Sequence, residues 1–151
     1  MSLARLSPPQ CDGVLCGSCA VSVPKDAAQA VAWYRKAAAQ GDADAQYNLG
    51  VSYANGEGVP KNAAQAVTWC QKAAAQGQAN AQFNLGEMYA RGEGVAQDNV
   101  LAYAWLNLAA VSGNDQSVKR RDSYESKLSS VEKNKAQRLS SAWKKGQILM
   151  R

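Results

Sequence analysis

The sequence predicts an all-α fold, an α/α solenoid of antiparallel helix pairs, and two observations carry this prediction. The first is internal repetition: residues 45–80 align without a gap with residues 81–116, and 16 of 36 positions are identical. The second is periodicity, because apolar residues recur at helical spacing and no segment shows the alternation of a β-strand. A chain of 151 residues has room for one such domain.

The repeat has a period of 36 residues and extends backwards over half a unit. Residues 23–44 match residues 59–80 at 16 of 22 positions. One tryptophan and one glycine recur at this spacing: Trp33, Trp69 and Trp105, and Gly41, Gly77 and Gly113. The array is therefore predicted to span residues 23–113, as a half-repeat at 23–44 and two full repeats at 45–80 and 81–113.

Each unit is predicted to hold two helices. The first covers about residues 44–54 and, one period later, residues 80–90, with an apolar stripe at i, i+4 and i+8. The second begins at a residue type that favours the N-cap: Asp26, Asn62 and Asp98. It ends at the repeated glycine, the residue that helix C-termini prefer.

Glycines inside the first helices indicate close helix packing. Gly50 and Gly86 occupy helix interiors, where glycine costs about 1 kcal/mol relative to alanine. Because this loss of helix stability occurs at the same place in both repeats, we expect a compensating gain there: without a side chain, the partner helix can approach closely. Two more glycines recur in the loop that follows, Gly56 and Gly58, then Gly92 and Gly94. They are predicted to end the first helix and to turn the chain through left-handed or crowded backbone positions.

These residues carry a family resemblance. The motif runs Ala45-Gln46-Tyr47-Asn48-Leu49-Gly50, then Tyr53, Gly56-Glu57-Gly58-Val59, Ala66, Trp69, Lys72-Ala73-Ala74 and Gly77. It resembles the Sel-1-like repeat, a relative of the tetratricopeptide repeat. The resemblance implies a right-handed superhelix of bacterial type over residues 23–113. Residues 114–151 look like the extra helical pair that often closes bacterial members of the family.

Residues 1–22 lack the motif and are predicted to be an eroded or disordered start. Cys11, Cys16 and Cys19 lie there, but a zinc site needs four ligands and the chain contains no histidine. We therefore expect no metal, and the redox state of these thiols stays open. A single arginine and no uninterrupted apolar core argue against a signal peptide as the sequence stands.

The basic character of the chain belongs to its C-terminal quarter. Residues 114–151 carry 10 Lys and Arg against 4 Asp and Glu, whereas residues 1–113 carry 7 against 8. We interpret this segment as a basic helical cap over the end of the array, because stacked repeats leave an apolar face that a polar terminal element covers. The capping-box pattern Ser129-Ser130-Val131-Glu132 predicts a last helix towards Lys145. Nucleic-acid binding by the basic tail is the less favoured alternative.

The amino-acid composition also excludes several kinds of catalytic site. Without histidine, imidazole-based acid–base catalysis and His-dependent nucleophiles are excluded. Glu57 and Glu93 recur in solvated turns, and their loops lack the Lys-Ser/Thr ending of a phosphate-binding loop. We predict that the chain is not an enzyme and uses no cofactor and no small-molecule substrate.

What remains is a surface for a protein or peptide partner. In related solenoids the first helices line a concave groove, so its predicted partner-binding residues are Tyr47, Asn48, Val51, Asn55, Phe83, Asn84, Glu87 and Arg91. The asparagines match one that in tetratricopeptide relatives bonds a bound peptide. The competing interpretation is that the aromatic side chains pack between repeats and the asparagines bond neighbouring loops.

The predicted function is a non-enzymatic adaptor or scaffold that binds a partner through this groove. The alternative is a structural spacer in a larger cell-envelope or secretion-related assembly. No stretch approaches the roughly 20 apolar residues of a transmembrane helix, and the sequence leans weakly towards the cytoplasm.

Overall fold

The computed structural model describes residues 23–150, and the side chains of residues 26–150, as an all-α solenoid. The predicted N-terminal segment 1–22, with Cys11, Cys16 and Cys19, lies outside the described residues. The described part holds seven helices and no strand, which confirms the predicted fold class: α1 (Val23–Ala39), α2 (Ala43–Asn55), α3 (Ala63–Ala75), α4 (Ala79–Arg91), α5 (Asn99–Val111), α6 (Asp115–Glu125) and α7 (Ser130–Ala142).

Each helix from α1 to α5 packs on the next one along the chain. The first helices of the pairs are α2, α4 and α6, and the second helices are α1, α3 and α5. The last helix, α7, departs from this order and packs back onto α5. None of the described helices combines the length and the apolarity needed to cross a bilayer.

The helix starts agree with the cap residues predicted for α3 and α5. Asn62 accepts from the Gln65 amide at 3.0 Å, and Asp98 is the N-cap of α5. In contrast, α1 begins at Val23, three residues before the predicted start at Asp26. Proline in the first turn of a helix is tolerated, since its missing N–H would have no partner there, and Pro24 occupies that turn.

The first helices α2, α4 and α6 begin with N-cap side chains that occupy equivalent positions, 36 residues apart. Asp42, Gln78 and Asn114 each accept a hydrogen bond from the backbone amide three residues later, at 2.7, 2.7 and 3.0 Å. The amides of Gln78 and Asn114 also donate to Asp44 and Asn80 of the preceding first helix, at 3.1 and 2.8 Å. Helix α6 thus begins in the same way as α2 and α4.

The glycines inside α2 and α4 confirm the predicted close approach. A Cβ at Gly50 would lie 2.7 Å from the Cys70 sulfur, and a Cβ at Gly86 would lie 2.9 Å from Cγ of Leu106. Cys70 and Leu106 are fully buried and occupy equivalent places on α3 and α5. Each glycine therefore lets the second helix of its own pair come nearer than any side chain would allow.

Two buried glutamines join successive repeats, and one is incompletely bonded. Gln46 and Gln82 donate to the carbonyl oxygens of Ala38 and Ala74, both at 3.2 Å. The Oε1 atom of Gln46 also accepts from Nε2 of Gln76 at 2.8 Å. The corresponding Oε1 of Gln82 is buried without a hydrogen-bond partner among the described residues. One period after Gln76 stands Ser112, whose side chain is too short to supply the equivalent donor.

Replacing Ser112 by glutamine is therefore expected to stabilise the protein. Ser112 has φ −80° and ψ 1°, almost the conformation of Gln76 at φ −81° and ψ −3°, so the new amide should reach Gln82. A hydrogen bond of this kind contributes about 0.5 to 1.5 kcal/mol to the free energy of unfolding, which urea denaturation measures. The control Ser112→Ala should give no gain. An equal gain in both variants would contradict the predicted bond.

The C-terminal cap closes back on the array. Ser129 and Glu132 form the predicted capping box at the start of α7, which ends at Ala142, three residues before the predicted Lys145. The chain then turns so that the Gly146 amide donates to the carbonyl oxygen of Ala75, at the end of α3, at 2.5 Å. Leu149 is buried in the main hydrophobic cluster, whose larger members include Val67, Leu85, Trp105 and Leu108. The cap is therefore joined to the middle of the array as well as to its end.

Candidate functional site

The eight predicted partner-binding residues lie on two equivalent first helices. We call this set the ladder face: Tyr47, Asn48, Val51 and Asn55 on α2, and Phe83, Asn84, Glu87 and Arg91 on α4. Members of the two rows stand 36 residues apart in pairs, so each pair occupies the same place on its helix. Asn55 and Arg91 are exposed, Glu87 is buried, and the other five are half-buried.

Two members of the ladder face contact each other between repeats. Burial raises the pKa of the Tyr47 hydroxyl, and a hydrogen bond with the Asn84 side chain partly opposes that rise. The Tyr47 ring packs against the main hydrophobic cluster. Tyr47 and Asn84 therefore help to hold α2 against α4, while their remaining surface stays half-exposed.

The Asn48 side chain is differently placed. Its backbone oxygen accepts from the Ser52 hydroxyl at 3.0 Å, whereas its side-chain amide makes no hydrogen bond within residues 23–150. Asn55, two turns further along the helix, uses its amide on Glu57 at 3.2 Å. Among residues 23–150, Asn48 thus leaves a donor and an acceptor unused at the centre of the α2 row.

Phe83 lies on the side of α4 that faces α6. Its ring is half-buried and packs against the small cluster of Ala90, Ala102, Leu106 and Tyr124. Because Tyr124 belongs to α6, this contact joins the second row of the ladder face to the cap.

Glu87 is the most buried member, at 7% exposure, and it holds two arginines. Its Oε2 atom accepts from Arg91 at 2.8 Å, and from Nε and Nη2 of Arg120 on α6 at 3.0 and 2.5 Å. This carboxylate raises the pKa of Arg120 through that hydrogen bond and its charge. The Oε1 atom of Glu87 is buried without a partner in the described part of the chain. Glu87 therefore fixes α6 beside α4.

Sequence reasoning missed Arg120, although the 36-residue period contains the signal. Counting one period from the α4 row reaches Lys119, Arg120, Ser123 and Lys127. Arg120 and Lys127 both approach the ring of Tyr124, at 6.0 and 4.7 Å from its centroid. Lys119, Arg120 and Ser123 of α6, with Lys127 just after its end, therefore form a third row of the ladder face, which we call the α6 row. The charged members of this row are all cationic.

Neither a metal centre nor a reactive thiol is found among the described residues. Among residues 23–150 no group of three or more His, Cys, Asp and Glu side chains is placed to hold a metal ion. Cys70 is buried against Gly50, and burial raises the pKa of its thiol to about 12. A thiol with so high a pKa stays protonated at neutral pH and is a poor nucleophile.

Three consecutive segments of the chain match the Sel1 repeat: residues 13–42, 43–78 and 79–114. The first match begins ten residues before α1. Sel1 repeat proteins generally mediate protein–protein interactions, and the family is generally of a non-enzymatic scaffold type. No curated protein sequence matches the chain with significance.

Two solved structures show the same architecture. One is a protective antigen present in uropathogenic Escherichia coli strains that displays an SLR fold, with a TM-score of 0.76 and 40% identity over 78% of this chain. The other is a Sel1 repeat protein from Oxalobacter formigenes, with a TM-score of 0.56 and 41% identity over 58% of this chain. The chain spans 26% and 36% of the lengths of these two proteins. Because the three repeat matches together cover more than half of the chain, the protein belongs to the Sel1 repeat family.

Proposed function

We propose that this protein is a non-enzymatic scaffold that binds a protein partner as an extended segment lying across the ladder face. The observation that supports this most directly is the unused amide of Asn48, set between half-exposed Tyr47 and Val51. An amide that carries both a donor and an acceptor suits the backbone of a peptide, and apolar neighbours suit its side chains.

The repetition of the rows adds support. Equivalent positions on α2 and α4 carry an aromatic ring and an asparagine in the same order, Tyr47-Asn48 and Phe83-Asn84. Helices packed side by side lie about 10 Å apart, a spacing that an extended peptide covers in about three residues. A single extended segment can therefore meet the same pair of groups on successive helices.

The test separates binding from stability at the two asparagines. Asn48→Ala is expected to weaken partner binding about threefold to tenfold without changing the melting temperature, because Asn48 makes no side-chain hydrogen bond in the described structure. Asn84→Ala should also lower the free energy of unfolding by about 1 kcal/mol, since it removes the bond to Tyr47. The partner is first captured from native cell extract with wild-type protein, then purified and titrated calorimetrically against each variant.

Asn134→Ala provides the matched control, because Asn134 is an exposed asparagine on α7, away from the ladder face. This variant should bind as wild type does. Normal binding by Asn48→Ala would contradict the proposal. Loss of binding only when α7 or α1 is altered would instead favour the structural-spacer function.

A further inference from the structure

We propose that the bound segment is acidic at the end that lies over α6. The ladder face would then select its partner by charge and fix the direction in which the segment binds. This inference rests on the proposed function, and it names the chemistry of the partner that the face selects. Three features of the described residues carry it: the place of α6 in the array, the charge of its row, and the convergence of its cations.

Helix α6 stands where the first helix of a further repeat would stand. Asn114 begins it 36 residues after Gln78, and bonds Asn80 as Gln78 bonds Asp44. Ser117 is fully buried at the place that buried Ala81 fills in α4. The row that α6 presents is therefore a continuation of the rows on α2 and α4.

The charge of the face changes in one direction along these rows. The α2 row is uncharged, the α4 row carries Glu87 and Arg91, and the α6 row carries Lys119, Arg120 and Lys127 with no acidic member. Lys119 and Lys127 are exposed, and neither forms an ion pair within residues 23–150. A partner segment would thus meet neutral groups at one end and unpaired cations at the other.

The cations around α6 converge on one small region. Arg91 and Arg120 share the single Oε2 atom of Glu87, so two positive charges face one buried negative charge. Arg120 and Lys127 both lie near the Tyr124 ring, which places Lys127 beside this cluster. Glu93 pairs weakly with Arg91 at 3.4 Å and is half-exposed. The region keeps a positive excess that attracts carboxylates, and such complementarity selects and orients partners.

An acidic protein segment fits this surface better than single-stranded nucleic acid does. A nucleic-acid strand carries a charge at every phosphate and needs a positive groove along its whole length, whereas the α2 row has none. Bases also need exposed aromatic faces for stacking, and Tyr124 in the cationic region is buried.

The experiment selects peptides on the intact chain and then tests the cations. Random peptides of about ten residues, enough for an extended chain rising about 3.3 Å per residue to cross three helices, are displayed on phage and selected on wild-type protein. Enriched sequences are synthesised with a fluorescent label and titrated by anisotropy. The test variant combines Lys119→Gln on α6 with Lys127→Gln just after the end of α6. The control combines Lys135→Gln with Arg138→Gln on α7, where both residues are exposed.

The expected result is enrichment of Asp and Glu at one end of the peptides, with affinity about fivefold to tenfold weaker in the α6 variant and unchanged in the α7 variant. Enriched peptides without acidic residues that still depend on Asn48 would overturn this inference and leave the proposed function standing. Failure to enrich any Asn48-dependent peptide would overturn both. Equal losses in the two variants, or tighter Lys119-dependent binding of a thymidine oligonucleotide, would also overturn the acidic-segment inference.

Discussion

Replacing Gly94 by alanine is expected to destabilise the protein by about 2 to 5 kcal/mol, because it combines backbone strain with a backbone clash. Gly94 has φ +74°, which disfavours any residue with a Cβ, and an added Cβ would lie 2.4 Å from the carbonyl oxygen of Ala63. That oxygen belongs to the first turn of α3 and has little freedom to move. The melting temperature and the urea midpoint should both fall.

Gly113→Ala is the matched control for this prediction. Gly113 has φ +105°, but a Cβ there would meet nothing within 4 Å, so only the conformational part of the cost remains. The free energy of unfolding is expected to fall by about 1 to 2 kcal/mol in this variant. Equal losses at Gly94 and Gly113 would show that the contact with Ala63 contributes nothing, and would contradict the prediction.

The second large effect is expected from Trp105→Ala, which should lower the free energy of unfolding by about 3 to 5 kcal/mol. The Trp105 side chain has no exposed surface and lies in the main hydrophobic cluster, which includes Ala136 of α7 and Leu149. Its removal leaves a cavity between the last repeat and the cap. Chemical denaturation followed by circular dichroism measures the loss, since intrinsic fluorescence would change with the tryptophan itself.

The same substitution one repeat earlier provides the comparison. Trp69 occupies the equivalent place on α3 but is only half-buried, with the Lys72 ammonium 4.3 Å from the centroid of its ring. Trp69→Ala should therefore lower the free energy of unfolding by clearly less than Trp105→Ala does. A larger loss at Trp69 would mean that the cap contributes little to the packing of Trp105.

The helix caps and the close helix contacts could be predicted from the sequence, because the local chemistry there is explicit. The caps of α3 and α5 follow from Asn62 and Asp98, because a side-chain oxygen at that position bonds the first turn in any context. The close contact at Gly50 followed from a cost that recurs at Gly86, and the structure supplies its cause in Cys70. These features depend on residues that are close along the chain or exactly one period apart.

The third row of the ladder face was harder to see because α6 has lost the family motif. Arg121 and Asp122 stand where Leu85 and Gly86 stand in α4, so periodicity in residue type fails although the helix keeps its place. The bond between Arg120 and Glu87 joins side chains 33 residues apart on different helices, and sequence spacing alone does not predict such a pair. The start of α1 was placed three residues late because Asp26 also fits the first turn of a helix that begins at Val23.

The return of the C-terminal segment onto α3 affects how this solenoid loses its structure. Repeat arrays usually unfold like a one-dimensional chain, since each unit contacts only its neighbours and the ends fray first. Here the Gly146 amide donates a hydrogen bond to Ala75, and Leu149 packs in the main hydrophobic cluster. The cap therefore cannot detach without breaking contacts near the middle of the array. Because of this contact, we expect α3 to α7 to unfold together as one cooperative unit. We therefore expect the C-terminal end of the array to fray less than the free end of a simple solenoid.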